Sequence, residues 1–89
     1  MDFRYRKQFL KDLAMIPLPY KKHVEELVFE ILPSENFESL FSKISKMRGY
    51  KGFYKIRLGD YRIGVYITSN TFECVRVLHR KEIYRFFPS

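Results

Sequence analysis

Three cations set around one tight turn carry the chemistry of this chain. In Tyr54-Lys55-Ile56-Arg57-Leu58-Gly59-Asp60-Tyr61-Arg62-Ile63, apolar residues alternate with Lys55, Arg57 and Arg62. The two runs meet at Gly59-Asp60, a two-residue turn with glycine first, which predicts a β-hairpin. Pairing Leu58 with Tyr61 sets Arg57 directly opposite Arg62. Like charges in that relation destabilise a sheet. A fold that accepts the confrontation is expected to hold an anion there, and guanidinium groups bind phosphate oxygens through two parallel hydrogen bonds.

The charge balance points the same way. The 89 residues carry a formal net charge of +7. Residues 1 to 45 hold seven Lys/Arg against seven Asp/Glu, whereas residues 46 to 89 hold ten against three, so the whole excess lies in the second half. Such asymmetry suggests a polyanionic partner, nucleic acid first. After residue 45 the only acids are Asp60, Glu73 and Glu82. They form no cluster suited to a metal, and neither metal nor cofactor is expected. The single cysteine, Cys74, has no disulfide partner and reads as a small buried apolar group. No apolar run is long enough to span a bilayer, and the N-terminus lacks the apolar stretch of a signal peptide. A cytoplasmic location and no membrane partner are therefore expected.

The elements that must position these residues follow from periodicity. Length predicts one domain over 1–89. After a short extended start at Asp2-Phe3-Arg4, a helix near residues 6 to 16 is expected to bury Phe9, Leu10, Leu13 and Ile16 and to end near Pro17. A second helix, opening with Pro19 in its first turn, carries Val24, Leu27, Val28, Ile31 and Leu32 at i, i+3, i+4, i+7, i+8. Pro33 closes it, and the short break makes the pair a helical hairpin. Residues 37 to 47 suggest a brief helix or an irregular loop. Strands follow near 52–58, 61–67 and 73–79. The predicted fold is α+β, with the helical hairpin on one face of a small antiparallel sheet.

Side-chain alternation assigns the faces. Tyr54, Ile56, Leu58, Tyr61, Ile63, Val65 and Ile67 point to the helices. Gly64 falls opposite Lys55 and is expected to leave open space beside it. An odd loop at Ser69-Asn70-Thr71, with Asn70 or a neighbour at positive φ, would put Val75 and Val77 on the core face. An even loop would bury Arg76 at considerable cost. The odd loop is therefore predicted. Lys55, Arg57, Arg62, Arg76 and Arg80 then share one concave basic face, with Phe53 and Tyr66 among them and Tyr84 approaching from the tail.

Lys46-Met47-Arg48-Gly49, the string from Phe53 to Ile63, and the ending Val77-Leu78-His79-Arg80-Lys81-Glu82-Ile83-Tyr84-Arg85 together resemble the RelE/ParE toxin superfamily. Within it they look closer to RelE, the ribosome-dependent mRNA endonuclease, than to ParE, the gyrase poison. The resemblance implies a type II toxin held silent by a RelB-like antitoxin encoded beside it. Its other partners would be the ribosome and the mRNA, cut in the A site. RelE-type nucleases use a cationic sheet in place of a histidine pair or a metal. Their lysine and basic residue of the first long hairpin strand fall on Lys55 and Arg57. Their strand-opening arginine falls on Arg62, the arginine after the last long strand on Arg80, and the tail tyrosine on Tyr84. Arg48 matches a basic residue of the loop before the sheet. Arg48, Lys51, Arg76 and Lys81 are expected to hold the RNA. The tail leaves no room for the C-terminal helix that some members carry.

The implied reaction is attack of an RNA 2′-OH on the adjacent phosphorus. It needs a base, stabilisation of the phosphorane charge, and a proton for the leaving 5′-oxygen. Arg57, Arg62 and Arg80 suit the charge. Lys55 and Tyr84 are both candidates for the proton work, and the residues do not assign base and acid between them. His79 is an outside candidate, and His23 reads as a polar-face helix residue. Two other functions compete: a ParE-like gyrase inhibitor that cuts no RNA, and an RNA-binding relic without activity.

Overall fold

The computed structural model describes residues 1–34 and 43–88. Strand β1 (Asp2–Tyr5) leads into α1 (Lys7–Met15), and α2 (Tyr20–Glu25) follows the proline break. After these come β2 (Ile44–Lys46), β3 (Phe53–Leu58), β4 (Tyr61–Ile67), β5 (Thr71–His79) and a single helical turn, α3 (Ile83–Phe86). The five strands form one sheet in the order β1-β5-β4-β3-β2. All pairs are antiparallel except β1, which lies parallel to β5. This is the α+β arrangement that the residue pattern predicted, with a parallel edge strand added.

Helices and sheet enclose the main core, in which Phe9, Val24, Val28, Leu32, Ile56, Ile63 and Val65 are fully buried. Two predicted core members are not there. Leu10 is exposed on α1, because the stripe toward the sheet runs through Phe9, Leu13 and Ile16. Ile31 is also exposed, because α2 continues as a π-helical stretch over Glu26–Ile31, where the Leu32 amide bonds back five residues to Leu27 at 2.9 Å. The wider turn rotates Ile31 out of the stripe.

Two further expectations are corrected at β2 and β5. Residues 44–46 form a strand on β3, not a helix or loop, and residues 37–42 lie outside the described residues. The β4–β5 connection is even, since Ile67 pairs with Phe72, and no non-glycine residue among those described has positive φ. The Thr68 hydroxyl accepts the amides of Asn70 and Thr71 and shapes the turn without it. The parity change comes from a bulge, where the register jumps from Val65–Cys74 to Gly64–Arg76. The extra residue, Val75, points away from the helices, so Phe72, Cys74 and Val77 all reach the main core.

The sheet face away from the helices is half covered. Val75, Met47, Ile83 and Phe87 form a second buried cluster there, flanked by Phe53, Tyr66 and Leu78. The tail adds one helical turn to this cluster. Its one turn places Ile83 and Phe87 one above the other, with the Phe87 amide bonded to Ile83 at 2.9 Å. Gly64 sits under that cluster. A Cβ on Gly64 would lie 2.6 Å from the Phe87 ring. The space beside Lys55 is therefore filled by the tail, which is the reason for a glycine.

Candidate active site

The hairpin forms as its residues dictate. Gly59 takes φ +59°, the left-handed value that a two-residue turn of this kind needs at its first central position. Leu58 then pairs with Tyr61, and Arg57 with Arg62. Next to them Lys55 pairs with Gly64 on one side and with Ser45 of β2 on the other. Above this row stands Tyr84. Ile83 and Phe87 are the residues that anchor α3, so the intervening Tyr84 stays 60 % exposed and turns toward the cations.

Lys55, Arg57, Arg62 and Tyr84 line one cleft of about 300 Å³, completed by Lys43 and Ser45. Lys55 Nζ donates a hydrogen bond to Tyr84 Oη and also stands 4.4 Å from the centre of that ring. The contact joins residues 29 apart in sequence. Burial, and then the positive charges of Arg57 and Arg80, make the Arg62 guanidinium give up its proton more readily than usual. Its Nη1 donates to the carbonyls of Gly59 at 2.8 Å and Tyr61 at 2.9 Å, which pins the head against the turn. Arg57 is exposed and has no hydrogen bond or ion pair with any described residue. Opposed cations with one head uncommitted make a seat for an anionic oxygen.

Other expected site residues are placed around this centre. Arg80 follows β5 and lies 3.7 Å from Asp60 in a half-exposed ion pair, near enough to Arg62 to repel it. Such a pair is weak and readily exchanged for another anion. Arg48 lines a second cleft of about 360 Å³ with Met47, Tyr50 and Phe87, which adjoins the first along Lys55 and Tyr84. Lys51 and Lys81 are exposed and line neither cleft. Arg76 does not join the basic face as expected. The bulge sends its guanidinium over the sheet edge to Asp12 of α1, at 2.7 and 3.1 Å. His79 packs edge-on against Tyr61, with ring centres 5.6 Å apart, and accepts the Lys81 amide on Nδ1.

Residue pattern alone missed Ser45, Lys43 and Asp12. Ser45 and Lys43 were hidden by reading 37–47 as helix or loop. Asp12 carried a signal: it is a lone acid inside the buried stripe of α1, between Phe9 and Leu13.

Comparison with known proteins agrees with this geometry. A sequence profile described as the ParE toxin of a type II toxin–antitoxin system, parDE, matches residues 3–84. The chain is 39 % identical over 88 residues to Toxin RelE3 of Methanocaldococcus jannaschii, covering 99 % of this chain and 100 % of that protein. Its fold is similar to that in a RelB–RelE antitoxin–toxin complex from Methanococcus jannaschii, with TM-score 0.76 and 38 % identity over 96 % of this chain and 99 % of the other. The isolated Escherichia coli RelE toxin shares the fold, with TM-score 0.63 at 20 % identity, over 88 % of this chain and 82 % of that one. The chain therefore belongs to the RelE/ParE superfamily, as a RelE-family toxin of the type II toxin–antitoxin class.

Proposed function

We propose that this toxin is a metal-independent endoribonuclease that cuts mRNA in the ribosomal A site and is silenced by a RelB-like antitoxin in the cytoplasm. The observation that carries the reading is the Lys55–Tyr84 hydrogen bond standing over the opposed arginines. It sets two proton-handling groups against an anion seat within one cleft. The 2′-oxygen forms a bond to phosphorus as the bond to the 5′-oxygen breaks. The 2′-hydroxyl proton passes to a base and the 5′-oxygen receives one from an acid. The products are a 2′,3′-cyclic phosphate and a 5′-hydroxyl.

Arg57 and Arg62 take the phosphorane charge in this scheme, and Arg80 joins when the phosphate displaces Asp60. Lys55 and Tyr84 move the protons. Lys55 donates to the phenol oxygen, so it stabilises negative charge on that oxygen at either stage of transfer. Arg48 and the exposed Lys51 and Lys81 supply flanking phosphate contacts. Arg76 has no part in it, being held by Asp12. None of the described helices is long and apolar enough to cross a membrane.

A translating extract with a mapped message tests the reading. Ribosome-dependent cuts should appear with the wild-type chain and fall about 10²–10³-fold in Lys55→Ala and Arg57→Ala, the usual loss of one preorganised donor. The ParE-profile match favours a second reading, a gyrase inhibitor. An intact message together with inhibited supercoiling by purified gyrase would establish that reading and sink the nuclease.

A further inference from the structure

Tyr50 is 51 % exposed, yet its loop is fixed. The Met47 amide bonds to Phe53 at 2.8 Å, the Tyr50 amide to Met47 at 3.2 Å, and the Phe53 amide to Tyr50 at 3.2 Å. Gly49 and Gly52 bracket Tyr50 at φ +82° and +85°, values that side chains seldom adopt. The buried Met47 nails the loop to the second cluster. The Tyr50 ring has no aromatic neighbour or hydrogen bond among the described residues. A rigid loop thus holds an aromatic side chain in solvent, at the mouth of a cleft.

That cleft continues from the cationic one, since Lys55 and Tyr84 line both. Four of the six residues lining the first cleft are cations, while the second sets Met47, Tyr50 and Phe87 beside Lys46 and Arg48. An exposed ring, Tyr50, beside a row of cations suits a single strand, because each nucleotide offers a phosphate and a π-face.

We propose that the Tyr50 cleft is a nucleobase subsite for single-stranded RNA. One base stacks on Tyr50, Arg48 meets a flanking phosphate, and the neighbouring phosphate lies between Arg57 and Arg62. The proposal rests on the reading of the first cleft as a phosphodiester site. It adds a stacking residue that would set how the strand is registered for cutting.

The test uses the full chain and an RNA trinucleotide with 2-aminopurine at one position and 2′-O-methyl groups throughout, which removes the nucleophile. Stacking should quench the fluorescence on binding. Tyr50→Ala should abolish the quench and weaken binding about tenfold, while Tyr50→Phe keeps both. Arg48→Ala should lower affinity and flatten the salt dependence but leave the quench at saturation. An unchanged quench and affinity in Tyr50→Ala, or no binding by wild type, overturns the subsite. A wild-type chain that binds and quenches but cuts no message on ribosomes loses the nuclease reading and keeps the subsite. Thermal unfolding of each variant confirms that the exposed substitutions leave the fold intact.

Discussion

The Phe87 ring covers Gly64, so close that a Cβ there would fall 2.6 Å from it. This contact seats the tail on the sheet and thereby holds Tyr84 above Lys55. Gly64→Ala must push Phe87 away or bend β4. Overpacking of this kind costs typically about 1–3 kcal/mol. We expect a lower unfolding midpoint in urea, and a loss of RNA cleavage larger than the loss of folded protein explains. A variant with wild-type cleavage would show that the tail does not position Tyr84.

The Arg57–Arg62 pair should cost stability in proportion to how poorly salt screens it. Opposed like charges on neighbouring strands are worth roughly 0.2–1 kcal/mol, and both heads here are at least partly in water. Arg57→Gln is therefore expected to raise stability slightly at 10 mM salt and to match wild type near 1 M, where the screening length falls to about 3 Å. Cleavage should drop in the same variant. Equal stability of the two chains at low salt would mean that the confrontation costs nothing.

How much of this was legible in the sequence depends on the range of the contact that decides each feature. The hairpin from Tyr54 to Ile63 is local: alternation and a glycine-first turn determine it, and the register placed Arg57 opposite Arg62. Tyr84 was expected to approach the basic face from the tail, but its hydrogen bond with Lys55, which spans 29 residues, was not read from the pattern. Arg76 shows what alternation alone does not see. The parity argument rightly kept it off the helical face, but counted loop residues where the strand itself bulges at Val75. The partner that draws Arg76 away, Asp12, lies 64 residues earlier. Gly64 was read as open space beside Lys55 because nothing local announces that Phe87 fills it.

Asp12 should prove a structural residue whose removal is expensive. Its carboxylate is nearly buried, accepts both Arg76 nitrogens and takes the Val77 amide at 3.2 Å. That amide lies on the edge of β5 beyond the reach of β1, which pairs only with residues 71–74. Asp12→Ala leaves the edge amide without its acceptor and the guanidinium, which lies 5.3 Å from the centre of the Phe86 ring, without its anion. The expected loss is about 3 kcal/mol, the low end for breaking a buried pair, since Arg76 keeps 20 % of its side chain exposed. Denaturant unfolding measures it. The double variant Asp12→Leu, Arg76→Met should recover much of the loss, and a double variant as unstable as the single one would contradict this account.

Cys74 predicts how stability responds to alkali. It is 1 % exposed in the main core, and burial, helped by the Glu73 carboxylate, pushes its thiol up to about 12. In the unfolded chain the same thiol ionises near 9. Between those values the folded chain keeps a proton that the unfolded chain releases. The folded pKa is the raised one, so the contribution is complete below about pH 9 and is lost as pH rises toward 12. The slope approaches about 1.4 kcal/mol per pH unit, one proton's worth. Tyr5 adds a loss of the same sign above pH 10, because burial also raises its phenol, which donates to the Val28 carbonyl at 2.5 Å. Urea unfolding at pH 8 and pH 10 should therefore show a drop in wild type that is smaller in Cys74→Ala. At pH 8 the native thiol should resist N-ethylmaleimide and react only after denaturant is added. Rapid labelling of the native chain, or an equal drop in Cys74→Ala, would show that the thiol is not sealed in the core.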